Sequence, residues 1–123
     1  MPFETSDLGQ YFYTRLFGVL TPDDLVTLAA ELERLEDAAA CSKDRIADCT
    51  ALDEVEISFP DVLLLANRRL TRTFTRRVKS AVIARKSLHI GFARMFQTLS
   101  EHPQIDIRIV ASMDEALKWL AES

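Results

Sequence analysis

The residues able to do chemistry are few and scattered. His89 and His102 lie well apart, and neither belongs to an H-x-x-x-H or Cys/His grouping of the kind that holds zinc. His89 stands at the start of an expected helix near a strand end, where α/β domains bind ligands, and so draws more attention than His102 beside Pro103. Cys41 and Cys49 are too widely spaced for a C-x-x-C redox pair. A chain of 123 residues can bury a core without a disulfide, so both are expected as reduced thiols. There is no G-x-S-x-G elbow and no glycine-rich phosphate loop, and 3 glycines leave little material for one. A phosphoreceiver would need Asp48 as acceptor and Asp23 with Asp24 as metal ligands. That pair instead sits in a helix cap after Pro22, and no lysine follows the last strand at 110–113. The expectation is a chain without catalytic activity, cofactor or metal.

Charge is the next candidate for function. Residues 68–86 hold 8 of the 15 basic side chains and no acid, with Phe74 the one aromatic. Nucleic acid would want such residues on one face with stacking platforms between them, whereas these spread over a helix end, a strand edge and a loop. No nucleic-acid partner is expected; a solvated face or a contact with an acidic protein fits better, with anionic lipid headgroups as the alternative. The net charge of −4 is also uneven, with 14 acids and 4 bases in residues 1–61 against 5 acids and 11 bases in 62–123. Oppositely charged halves imply complementary faces within one molecule, or between copies in a homo-oligomer.

The elements that must position these residues are readable from their punctuation. Residues 3–6 and 11–17 form a hairpin around Asp7-Leu8-Gly9-Gln10. Thr21-Pro22-Asp23-Asp24 is a helix start, and Leu25, Leu28, Ala29, Leu32 and Leu35 then recur at helical spacing. A short strand at 43–48 is expected to lead through an acidic connection, 50–56, into a helix from about Phe59 to Arg76 capped by Ser58, with Val62, Leu63, Ala66, Leu70 and Phe74 facing inward. The apolar run 78–84 reads as the sheet centre, covered on both faces. A helix over 88–99, an alternating strand from Ile105, and a capped helix from Ser112 complete the order ββαβαβαβα. The fold class is α/β in one domain over 1–123, a mostly parallel sheet wrapped by helices. No apolar run approaches the roughly 20 residues that span a bilayer, and the start MPFETSDLG is not a secretory signal, so no integral membrane segment and a cytoplasmic location are expected.

This order resembles the STAS domains, the fold of the anti-sigma-factor antagonists, and within them the SpoIIAA-like branch sometimes grouped with Sec14-type lipid-binding domains. The likeness is carried by Gly18-Val19-Leu20-Thr21-Pro22-Asp23-Asp24-Leu25, by Gly91-Phe92-Ala93-Arg94-Met95-Phe96, and by the closing Ile109 to Leu120. In the regulatory members a serine or threonine at the start of the helix after the third strand is phosphorylated within a D-S-S/T-G motif. By position the resemblance implies Ser58, although Glu56-Ile57-Ser58-Phe59-Pro60 lacks the glycine and the paired hydroxyls.

The function expected is that of an interaction or regulatory module with a protein partner. Its surface would centre on Ser58, Phe59 and Asp61, with Arg68, Arg69 and Arg72 as a basic flank. The alternative is a domain that binds a small apolar or lipid-like ligand among Leu64, Leu65, Phe92, Met95 and Phe96.

Overall fold

The computed structural model describes residues 2–122. Along it run β1 (Phe3–Asp7), β2 (Tyr11–Leu20), α1 (Pro22–Ala38), β3 (Asp44–Val55), α2 (Phe59–Leu70), β4 (Val78–Ile83), α3 (Ser87–Leu99), β5 (Ile105–Val110) and α4 (Met113–Leu120). The strands form one sheet in the order β1-β2-β3-β4-β5, with β1 antiparallel to β2 and every later pair parallel. The hairpin turns where Gly9 takes φ +93°, a conformation that costs glycine little, and the Asp7 carboxylate accepts the Gly9 N–H at 2.9 Å.

Each face of the sheet has its own apolar cluster. On one, Leu16, Leu20 and Leu52 meet Leu25 and Leu28 of α1. On the other, Ile46, Ala81, Ile83 and Val110 meet Ala116 and Trp119 of α4. The alternation of the strands decides which residue goes where. In β4 and β5, for example, Ala81 and Ile83 pair with Arg108 and Val110 on the α4 side, and Arg108 lies over the Trp119 ring at 4.9 Å.

The centre of the sheet differs from the expectation. The segment expected as a short strand and an acidic connection is a single strand of 12 residues, β3, and it, not β4, is the middle strand. The pairing with β2 slips twice. Arg15 faces Asp48 but Phe17 faces Ala51, and Gly18 faces Leu52 but Val19 faces Glu54. Each slip places one extra residue in β3, so the residues packed toward α1 are Ala47, Cys49, Leu52 and Val55, with the spacing stretched twice from two to three. At the first slip the Asp48 carboxylate accepts the N–H and the hydroxyl of Thr50, at 3.0 and 2.7 Å. The broken alternation hides the strand from a reading based on period two.

α2 is also shorter than expected, ending at Leu70, and its inward side is Val62, Ala66 and Arg69 rather than Leu70. The helix ends at Leu70 with Thr71 as its C-cap, and its last turn is drawn into a charged cluster. Glu36 of α1, its side chain 5% exposed, accepts hydrogen bonds from Arg69 at 2.6 and 3.0 Å and from Arg45 of β3. Arg72 approaches the same carboxylate at 3.4 Å and pairs with Asp37 at 2.6 Å, while Arg68 grips Glu33 at 2.7 and 2.8 Å. The acidic first half and the basic second half thus meet inside one molecule.

Burial works to raise the Glu36 pKa, but the hydrogen bonds and charges of Arg69 and Arg45 outweigh it and hold the carboxyl below its ordinary 4.5. A depressed folded-state pKa adds stability above the unfolded value, and that stability is lost as pH falls through the folded one. Stability followed by urea denaturation should therefore hold through neutral pH and decline below about 4.5. Glu36→Ala should remove about 3–5 kcal/mol at pH 7, because it strands two buried guanidinium groups, and its residual stability should lose part of the acid sensitivity. A variant as stable as the parent would show that the cluster does not anchor α2.

Candidate functional site

Beneath α2 the space over the sheet is not filled. α2 packs mainly against α1 and α3, and a cavity of about 180 Å³ lies between the three helices and the strands. Leu16, Leu28, Leu52, Leu65, Phe92 and Phe96 form much of its wall. Small side chains, Ala47 on β3 and Ala93 on α3, face this space, and arginine pairs join α2 to α1 beside it.

Polar groups enter the wall at a few points. Arg45, Arg69 and Ser80 line it on the side of the Glu36 cluster, and His89 and Cys49 line it elsewhere. His89 is 5% exposed, and burial together with the charge of Lys86 lowers its pKa below 6.5, so the ring is neutral at pH 7. Burial, helped by the nearby Asp48, pushes the Cys49 thiol up to about 12, which keeps it protonated and a weak nucleophile. Glu36 is ionised and spent on arginine. The chamber therefore offers shape, an apolar surface and a cationic side, with no activated nucleophile paired to a base among the described residues.

The second place of interest is the start of α2. Ser58 donates both its N–H, at 2.7 Å, and its hydroxyl, at 2.9 Å, to one oxygen of Asp61. Phe59 is 51% exposed and Leu64 68% exposed beside this cap. Asp61 and Leu64 share a shallow groove with Val26 of α1 and Arg68.

The residues singled out in the sequence are thus divided between the two places. Ser58, Phe59 and Asp61 cluster at the helix start. Arg68, Arg69 and Arg72 follow on later turns, but each is held by an acid of α1, and Arg69 is buried. The remaining bases of 68–86 are engaged as well: Arg76 with Asp44, Arg77 with Asp106, and Lys79, Arg85 and Lys86 with backbone carbonyls. The basic run is an internal fastening. Of the apolar set, Leu65, Phe92 and Phe96 line the cavity; Leu64 points to the α1/α2 groove and Met95 is not part of the wall. Sequence reasoning missed Arg45 and Ser80 as cavity residues. The available signal was Arg45 sharing the inward side of a strand with Ala47 and Cys49, a charge where an apolar residue belongs.

No protein-family model matches the chain, and no curated protein matches it. Among solved structures it is similar to an uncharacterized protein of the DUF3478 family with a SpoIIAA-like fold from Shewanella loihica PV-4. The two are 19% identical with a TM-score of 0.64, over 97% of this chain and 92% of that one. The fold is therefore SpoIIAA-like, as the sequence resemblance implied. No helix among the described residues is long and apolar enough to cross a membrane.

At the start of α2 the cap depends on Asp61 more than on Ser58, since the carboxylate receives the backbone N–H of the cap residue as well as its hydroxyl. Asp61→Ala should cost about 1 kcal/mol of stability in urea denaturation, and Ser58→Ala less, because the backbone bond to Asp61 survives. The reverse ranking would show that the serine hydroxyl carries the cap.

Proposed function

We propose that this SpoIIAA-like domain acts by binding rather than by catalysis, and that it holds a small apolar molecule in the chamber beneath α2. The observation that carries this reading is the chamber itself. Protein interiors are packed to crystal-like density, and an apolar pocket of about 180 Å³ that opens partway to solvent is volume these helices and strands leave unfilled. Retaining such a volume makes sense if a ligand occupies it. A void of about 150 Å³ in another protein takes up benzene, so the occupant has the bulk of one ring or a short chain.

The exposed Phe59 and Leu64 beside the Ser58 cap favour a second reading, in which the start of α2 is a surface for a protein partner. A phosphate on Ser58 would remove the hydroxyl's bond to Asp61 and set a dianion against that carboxylate, loosening the first turn. The two readings are compatible, because α2 is both the roof of the chamber and the bearer of the surface.

Titration with benzene, followed by methyl and aromatic NMR signals, should perturb Leu16, Leu28, Leu52 and Phe96 together. Ala47→Leu, which fills part of the space, should weaken benzene binding at least tenfold while leaving stability unchanged or raising it by about 0.5–2 kcal/mol. Perturbations confined to Leu64 and Phe59, or none, would remove the chamber as a binding site.

A further inference from the structure

We propose that the ligand is an acid: a small hydrophobic carboxylate whose chain or ring fills the chamber and whose carboxylate lies at the Arg45 and Arg69 side. The proposal rests on the binding reading above and names the class of molecule it concerns.

Charge is the first ground. Arg45 and Arg69 are 7% and 5% exposed and both line the chamber. They share one carboxylate, Glu36; Arg72, which also reaches it, is balanced by Asp37. The three buried groups, Arg45, Arg69 and Glu36, thus leave one positive charge over in the interior, where an uncompensated ion is costly. Arg45 has the Phe74 ring at 5.2 Å, which eases that charge without neutralising it. The cluster is one carboxylate short.

Unused hydrogen bonds are the second ground. A smaller chamber of about 20 Å³ adjoins the large one and shares Arg45, Arg69, Ser80 and Phe96 with it, adding Ser100 and His102. Arg45 Nε and Ser100 Oγ are buried without a partner among the described residues, and both can donate. Both residues line the small chamber, and an acceptor oxygen there is the partner this proposal assigns to them. The small chamber's volume suits about one water-sized group, room for an oxygen of a flat carboxylate and too little for a tetrahedral phosphate. The terminal nitrogens of Arg45 and Arg69 are taken by Glu36 and the Lys43 carbonyl, so Arg45 Nε is the guanidinium donor left for a ligand oxygen. Apolar bulk on one side and a cationic, donor-rich recess on the other describe a molecule with a greasy body and an anionic tip.

Affinities of the full chain for benzene, hexanoate, 1-hexanol, hexylamine and hexyl phosphate, measured by calorimetry and NMR, test this. Hexanoate should bind at least tenfold more tightly than 1-hexanol, hexylamine more weakly than 1-hexanol, and hexyl phosphate more weakly than hexanoate. Substituting Arg45 or Arg69 would unsettle Glu36, so Ser100→Ala is the variant of choice. It should lower hexanoate affinity several-fold and leave benzene affinity unchanged. If benzene binds but hexanoate does no better than 1-hexanol, the acid class is wrong while the chamber reading stands. If benzene and hexanoate both fail to bind, the chamber reading falls and this proposal with it. Tighter binding of hexyl phosphate than hexanoate would overturn the choice of carboxylate.

Discussion

The Glu36 carboxylate is the interaction on which the arrangement turns. It ties three segments: α1, which carries it, the start of β3 through Arg45, and the last turn of α2, 33 positions away, through Arg69. Burying a carboxylate and two guanidinium groups is expensive, and a set of apolar residues of the same volume would often be as stable. What the charged set provides is directionality. Apolar residues at these positions would let α2 settle onto the sheet, whereas the fork of Arg69 on Glu36, flanked by Arg68 on Glu33, holds the helix beside α1 and over open space.

The second constraint is β3. As the middle strand it touches both apolar clusters, and its two extra residues let it stay in the sheet while its inward side chains move out of strict alternation. Ala47 and Cys49, both small, line the chamber, and Leu52 and Val55 continue the apolar wall further along. Short side chains on the strand and a helix held outward produce the chamber together.

Two features of the site therefore share one cause. The cluster that joins α2 to α1 also puts Arg45 and Arg69 in the chamber wall, so the same groups fix the helix and set the charge beside the space. The surface at the start of α2 is joined to the same element: a change at Ser58 and Asp61 acts on one end of the chamber's roof, and the arginine cluster fixes the other.

What the residues determined by themselves is considerable, and it is local. Capping boxes at Thr21 and Ser58, the serine cap at Ser112, the Gly9 turn and the apolar periods of α1 and α3 name most elements in their observed order, because each is written within a few neighbouring positions. The SpoIIAA-like resemblance follows from that order. The tertiary structure alone decided three things. It made β3 a long central strand, since a register slip is set by the partner strand. It paired the basic run with acids and carbonyls of the same chain, since charge pairing across 33 or 35 positions leaves no periodic mark. And it opened the chamber, since a void is the failure of facing side chains to meet, and no single stretch of chain records the distance between its neighbours.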